Sequence, residues 1–546
     1  MPFVGEIFAQ LKAAGSTPVL QEIRDGQITA VTGSELIELV RRARTFLASK
    51  SLAKGERCGL LASNSVRWIA MDLAAIAEGL IVVPLYYRQA PHELVAMMKD
   101  STPALVCCGD PNLREGIQQN WSAAPPHFLF DEIFAGVDGI SLDRPQVRSE
   151  DPVTIIYTSG TSGEAKGVVL TAANVGFMLG CTSARLDLLM GGGRTSRDRI
   201  FHYLPFSFCA SWIAVLTFLL RGSLVTLNTD LTKIPNDMPA VAPHYFLNVP
   251  QLLERMRRGV DEQIAAKGGV AQAIYSRAKA AWFGQGGEAT SIWLWLAKRL
   301  VFPQIRKKMV GENLKALICG SAPLTPETQS YFAMLGIPVL QVYGLTETTG
   351  ICTMDDPQNP VPGRVGLAIP GIEMKLSDND EILVRGPNVF PGYWHRPQQT
   401  AEVLGGGWFH TGDQGEIDAT GTWRIVGRIK NLIVLGSGHK IAPESIEDEI
   451  ARLLPAAQQV VIVGNGRGYL TAVVTGDVSR DQVQAALDGV NAQNPHYKQI
   501  RAFCVRPEPF SIDNGMLTAN GKLKRDLISK RMSSEIEDMY QAVKTA

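Results

Sequence analysis

The chain has 546 residues, 45% of them hydrophobic, enough for several domains and a large core. Lysine plus arginine and aspartate plus glutamate number 53 each, so the balance gives no reason to expect nucleic acid as a partner. Eight cysteines are scattered with no CxxC pair, which argues against zinc or a disulfide framework and for reduced thiols in a cytoplasmic enzyme.

The first six residues, Met1-Pro2-Phe3-Val4-Gly5-Glu6, lack a basic region followed by an apolar run, so no signal peptide is expected. Residues 1–150 alternate apolar strands with helical patterns. Strands are expected at 57–61 and 80–85, with a helix at 68–78 between them. Strand, helix, strand implies an α/β layer. Residues 153–156 are apolar and β-branched and read as a buried strand, as do 168–170. Between them lies Tyr157-Thr158-Ser159-Gly160-Thr161-Ser162-Gly163-Glu164-Ala165-Lys166-Gly167. Glycines let backbone N–H groups approach a polyphosphate, hydroxyls donate, and lysine supplies charge. A Walker A loop needs Gly-Lys, then Ser or Thr, then a helix. Here the order is Lys166-Gly167 and a strand follows, which excludes that pattern. From this stretch alone, a plain Gly/Ser/Thr-rich surface loop stays equally open.

Residues 206–220 form the longest largely apolar run, stopped by Arg221. It is shorter than the ~20 residues of a spanning helix and reads as a buried one. Within it, Trp212 is either ordinary core or part of a substrate passage. Residues 259–313 look like a helical insertion carrying Trp282, Trp293 and Trp295 with Lys279, Lys298, Arg299, Arg306, Lys307 and Lys308. An aromatic–basic face of this kind either rests on a membrane interface or packs on its own domain. Residues 317–324 are a strand running into the turn Gly320-Ser321-Ala322-Pro323, whose small side chains leave space for a flat base. Residues 339–348 are a second strand running into Tyr343-Gly344-Leu345-Thr346-Glu347-Thr348. From 363 to 425 short alternating strands suggest a small β-subdomain. The tail 431–546 reads as a small α+β unit, with a helix from Pro443, strands at 460–463 and 470–474, and a C-terminal helix.

These stretches, in this order, resemble the adenylate-forming superfamily of acyl-CoA synthetases, firefly luciferase and nonribosomal-peptide adenylation domains. The segments 64–68, 83–86 and 300–306 resemble its long-chain fatty acyl-CoA synthetases (AMP-forming) in particular. The resemblance implies a large N-terminal domain of two α/β subdomains plus a small β-barrel subdomain, spanning 1–428. It also implies a hinge at 429–431 and a mobile α+β lid at 432–546. ATP would be held by Thr158, Ser159, Gly160, Thr161, Ser162, Gly163 and Lys166. Ala165 replaces the family's usual proline there. Adenine would lie between 320–323 and Tyr343-Gly344. Thr346 would donate to the α-phosphate, and Glu347 would bind magnesium, which prefers hard oxygen ligands. Asp413 in Trp408-Phe409-His410-Thr411-Gly412-Asp413 would accept both ribose hydroxyls, and His410 reads as structural. Arg428 would contact the nucleotide and Lys430 would be the hinge. Gly436 and Gly438 would pass the pantetheine of coenzyme A, and Lys522 would be the catalytic lysine.

Phe208 stands where relatives often carry histidine near the acyl tunnel, and Trp212 matches a region where an aromatic gates it. The implied reaction activates a fatty acid with ATP to acyl-AMP and transfers the acyl group to coenzyme A. Alternatives are a fatty acyl-AMP ligase loading a carrier protein, a luciferase-like oxygenase, and an inactive acyl- or nucleotide-binding protein. Peripheral membrane contact, and monomer against homodimer, stay open.

Overall fold

A computed structural model describes residues 3–136, 147–159, 165–192, 197–284, 291–518 and 521–544. Two large sheets draw their strands from the chain up to Tyr393, as the alternating pattern demands. One has seven strands, in the order Gly392–Tyr393, Ala165–Thr171, Pro152–Ser159, Ile81–Leu85, Arg57–Leu61, Leu105–Cys108 and His127–Leu129. Its middle strands pair in parallel and, apart from Arg57 at the start of one, are apolar, the sign of a sheet covered on both faces. The other has nine strands. Its parallel centre holds Val339–Leu345, Ala316–Cys319, Tyr245–Asn248, Arg199–His202 and Leu224–Asn228.

The expected small barrel is instead an open antiparallel sheet of five strands. Glu373–Leu376 and the two-residue strand Leu404–Gly405 end its two sides, and Trp423–Arg428 pairs on Trp408–Ile417. A two-residue edge has too few backbone groups to close the sheet on itself.

Residues 433–540 bury two hydrophobic clusters made only of their own side chains. They surround a three-stranded sheet of Gln459–Val463, Leu470–Thr475 and Ile500–Arg506. The helix Pro443–Leu453 starts at its proline, as read, because proline lacks only an N–H that is unbonded in the first turn. The short turn Ile429–Asn431 joins this unit to the rest.

Candidate active site

Two parallel neighbours, Ala316–Cys319 and Val339–Leu345, end side by side and release the segments 320–323 and 346–348 at their C-terminal ends. Ligands in α/β sheets gather at such ends. Gly320 is glycine because a Cβ there would lie 2.6 Å from Val342 Cγ2. Ser321, Ala322 and Pro323 are exposed. Gly344 has a sharper reason: a Cβ would lie 1.7 Å from the Gly350 carbonyl oxygen, where the paired strand doubles back.

Thr348 fixes the following 3-10 turn. Its hydroxyl accepts from Leu345 N at 2.9 Å and donates to Leu345 O and Gly350 O. That turn presents Thr346 and Glu347. Glu347 Oε1 accepts from the Tyr393 hydroxyl at 2.9 Å, and Lys166 Nζ lies 5.1 Å from the centre of the Tyr393 ring. Tyr393 sits there because Gly392–Tyr393 pairs with Ala165–Thr171, opposite Val169 and Val168. Thr158 pairs with Lys166 in the hairpin of Pro152–Ser159 and Ala165–Thr171. Ser159 ends the first strand of that hairpin. Gly160, Thr161, Ser162 and Gly163 lie outside the described residues.

Asp413 is 4% exposed on the strand Trp408–Ile417. Arg428 Nε is 2.7 Å from its Oδ1, and the Tyr343 hydroxyl donates to its Oδ2 at 2.8 Å. Burial pushes Asp413 above the usual carboxylate range, against the pull of Arg428, Tyr343 and Lys522. Burial would pull Arg428 down, but Asp413, Tyr343, Glu347 and Glu444 together hold it above its ordinary value. His410 Nδ1 is 2.9 Å from Glu381 Oε2, and Glu381 Oε1 accepts from Gly412 N at 2.9 Å. Glu381 thus pins the turn before Asp413, and His410 takes part in that structural bond.

Lys522 reaches this group from the other unit. Lys522 and Gly521 belong to a turn closed by Gly521 N to Thr518 O at 2.8 Å and Thr518 N to Lys522 O at 2.8 Å. Leu517 and Leu523 bridge its arms. Lys522 is exposed to water. Loss of solvation beside the rest of the protein, then repulsion from Arg428, lowers its pKa, while Asp413 and Glu347 pull it up. The charges of Arg428, Asp413 and Glu347 thus act on Lys522 from the other unit. Two residues on, Lys524 Nζ is 3.4 Å from Glu93 Oε1 of the helix Pro91–Ser101.

Gly436 and Gly438 lie on an exposed loop held by residues of its own unit. Gly436 N donates to Arg467 O at 2.7 Å, and His439 stacks on Tyr497 at 4.2 Å. Lys430 is the middle residue of the turn Ile429–Asn431, and Asn431 Nδ2 donates to Glu444 Oε1 at 2.6 Å.

Trp212 is 1% exposed, and its indole N–H donates to Asp72 Oδ2 at 2.8 Å. Phe208 is half-buried, its ring 5.4 Å from that of Tyr86. Burial raises Asp72 to about 7, against the Trp212 bond. Its Oδ1 is buried without a hydrogen-bond partner among the described residues. The folded chain therefore keeps a proton that the unfolded chain releases near its ordinary value of about 4. Stability from this site falls as pH rises between those two values. Asp72→Asn cannot ionise, so its melting temperature should gain on the parent's as pH rises through that window. Melts at about pH 5 and about pH 8 test this, and an equal gap at both refutes it.

Sequence reasoning missed Tyr393, Glu381 and Glu93. The string Gly392-Tyr393-Trp394 was the one visible signal, but a two-residue edge strand has no periodicity to read. Among the described residues no group of three or more His, Cys, Asp or Glu is placed to hold a metal. One carboxylate at Glu347 fits magnesium only if phosphate and water supply the other ligands, as is usual for nucleotide-bound magnesium.

Models of the AMP-binding enzyme and of the AMP-binding enzyme C-terminal domain match residues 8–394 and 430–544. The chain belongs to the AMP-binding enzyme family. This AMP-binding enzyme is 28% identical to long-chain-fatty-acid–CoA ligase FadD15 of Mycobacterium tuberculosis, over 96% of the chain and 94% of the relative. It is 28% identical to long-chain-fatty-acid–CoA ligase 5 of Mus musculus, over 91% and 83%. Among solved structures, ATP-bound MatB from Rhodopseudomonas palustris matches with a TM-score of 0.75 at 24% identity, covering 98% of this chain and 99% of that one. The o-succinylbenzoate coenzyme A synthetase of Bacillus subtilis, in complex with ATP and magnesium ion, matches with 0.75 at 20%, covering 95% and 98%. These likenesses show the fold.

Proposed function

We propose that this AMP-binding enzyme activates a long-chain fatty acid and passes it to coenzyme A. In the first step a carboxylate oxygen attacks the α-phosphorus of ATP, the bond to the bridging oxygen breaks, and pyrophosphate leaves. In the second, the thiol sulfur attacks the acyl carbonyl, AMP leaves, and the thiol proton goes to solvent. The observation that carries the reading is the buried cluster of Asp413 with Arg428 and Tyr343, whose charges act on Lys522 of the other, separately cored unit. Two anions must approach in the first step, so the site must offset charge. Lys522 and Lys166 supply cations for that, and positioning does most of the rest.

Asp413 would hold the ribose, with Arg428 beside it. The segment 320–323, Tyr343 and Gly344 would flank adenine. Thr346 would donate to the α-phosphate, with Thr158 and the loop residues around 159–163 on the outer phosphates. Glu347, braced by Tyr393, would hold magnesium, which neutralises phosphate charge when bound. Residues 1–428 would form one body and 432–546 the lid, turning at 429–431. The lid's turn would withdraw Lys522 and bring Gly436 and Gly438 to the cleft. Pyrophosphate release with ATP and palmitate, assayed with and without coenzyme A, tests the whole. Release with no acyl-CoA would favour a carrier-protein ligase, and no release at all would end the reading.

Side chains outside the nucleotide site extend it. Trp212 and Phe208 would shape the acyl passage. His202, the one histidine in 198–220, is buried and pushed down to about 4. It stays neutral, so acyl binding should show no imidazole step near neutral pH. Trp212→Ala should shift chain-length preference and leave the ATP requirement untouched. An unchanged acyl profile in a folded variant refutes the gate. Lys524 would help seat the lid through Glu93. A half-exposed pair contributes little, so Lys524→Glu should slow acyl-AMP formation only about two- to fivefold. Adding Glu93→Lys should restore it, and no recovery in the double variant removes the pair from the account.

A further inference from the structure

We propose that Tyr393 is a positioning residue that holds the Glu347 carboxylate and the Lys166 ammonium in one frame, and so sets the affinity for the metal–ATP complex. This role rests on the reading of Glu347 as the magnesium carboxylate and adds the side chain on which the metal's hold depends.

Glu347 and Lys166 come from different sheets. Glu347 follows the strand Val339–Leu345 of the nine-stranded sheet, and Lys166 lies on Ala165–Thr171 of the seven-stranded one. Neither sheet alone fixes the distance between the two side chains. The segment 387–394 crosses from one sheet to the other. At its start, Asn388 O accepts from the Thr349 hydroxyl at 2.7 Å, and Phe390 N donates to Glu347 O at 2.9 Å. At its end, Gly392 and Tyr393 pair with Val169 and Val168, and Trp394 N donates to Gly167 O at 2.8 Å.

Tyr393 is where the two attachments meet. Its hydroxyl donates to Glu347 Oε1 at 2.9 Å, and its ring centre lies 5.1 Å from Lys166 Nζ. A tyrosine hydroxyl has one proton to donate, so it orients one carboxylate oxygen and does not occupy both. A carboxylate held in this way keeps a fixed plane for a hard cation. A ring face attracts an ammonium without a hydrogen bond that an incoming phosphate must break. The ring is itself fixed. Phe390 is buried and packs edge-on against it at 4.9 Å, and Tyr393 N donates to Thr400 Oγ1 at 2.9 Å. Asn174 of the helix Ala172–Met190 ties down the segment's start, through Pro387 O at 2.7 Å and Val389 O at 3.1 Å. A phenylalanine would fill the same space, so only the hydroxyl's bond to Glu347 calls for tyrosine.

Equilibrium binding of ATP to the full chain, with no acid and no acceptor present, reads Tyr393 apart from turnover. Manganese(II) serves as the divalent probe with oxygen ligands. The ratio of ATP affinity with excess manganese to that with EDTA is the metal's contribution. Losing a hydrogen-bonded partner of a metal's ligand typically costs about ten- to a hundredfold in metal affinity, so Tyr393→Phe should cut the ratio about tenfold or more. The ring remains in Tyr393→Phe, so metal-free ATP should bind near the parent value. So should AMP, which has no outer phosphates. Tyr393→Leu loses the ring as well and should also weaken metal-free ATP about two- to fivefold. With Glu347→Gln in place, Tyr393→Phe should change the ratio little further. A parent ratio of one ends the reading of Glu347 and the proposal with it. A parent ratio well above one that Tyr393→Phe leaves unchanged overturns the proposal alone. Full additivity with Glu347→Gln, or an equal loss of AMP binding in Tyr393→Phe, also overturns it, because Tyr393 would then act on the fold and not on the carboxylate.

Discussion

Lys522→Ala is expected to lose acyl-AMP formation by at least about a hundredfold while converting supplied acyl-AMP and coenzyme A at close to the parent rate. The charges of Asp413 and Glu347 act on Lys522 from the other unit, and in the proposed mechanism its ammonium stands where negative charge gathers as a carboxylate meets the α-phosphate. A well-placed donor at such a point is worth ~10²–10³ in rate, roughly 3–4 kcal/mol. Thioester formation makes no such demand, because the adenylate already exists. The lowered pKa adds a pH signature. Lys522 must be protonated to act, so the acyl-AMP half-reaction should fall as pH rises through a value below the ordinary lysine range. Lys522→Arg should carry that limb upward, since guanidinium stays charged. Both half-reactions measured separately check this. If Lys522→Ala still makes acyl-AMP rapidly, Lys522 is a surface lysine and the mechanism fails.

Much of the architecture was legible because burial writes itself into periodicity. Strands at 57–61 and 80–85 were readable from apolar runs, and they stand at Arg57–Leu61 and Ile81–Leu85. The helix from Pro443 was readable from its first-turn proline. The expected barrel was not decidable in this way. Closure depends on hydrogen bonds between strands distant in sequence, and a two-residue strand leaves no pattern. In the candidate site, Asp413, Arg428 and Tyr343 were named from their strings, and the structure brings their side chains within hydrogen-bond reach. The braces around them were not legible. Tyr393 reaches Glu347 from 46 positions away, and Glu93 reaches Lys524 from 431 away. Such pairs are set by the packing of whole sheets and units, and no local spacing encodes them. Trp212 shows the same limit: its partner Asp72 looks like an ordinary helix residue until both are buried together.

Lys430→Pro is expected to keep acyl-AMP formation within several-fold of the parent and to cut thioester formation by at least about a hundredfold, or roughly 2.7 kcal/mol. Lys430 lies in the 3-10 turn Ile429–Asn431, with Leu432 N bonded back to Ile429 O. Proline fixes φ near about −65°, which a turn of this kind accepts. On φ alone, this arrangement is compatible with proline. Swinging the lid needs a large change in backbone angle at the hinge, and proline forbids it at φ. The variant should stay locked with Lys522 beside Asp413 and Glu347, able to make the adenylate and unable to bring Gly436 and Gly438 to it. Acyl-AMP should accumulate on the enzyme in a burst of about one equivalent, with slow acyl-CoA release afterwards. Lys430→Ala, which leaves φ free, should restore turnover. Equal losses in both half-reactions with the fold intact, or a normal thioester step in Lys430→Pro, would mean that the lid does not turn at this residue.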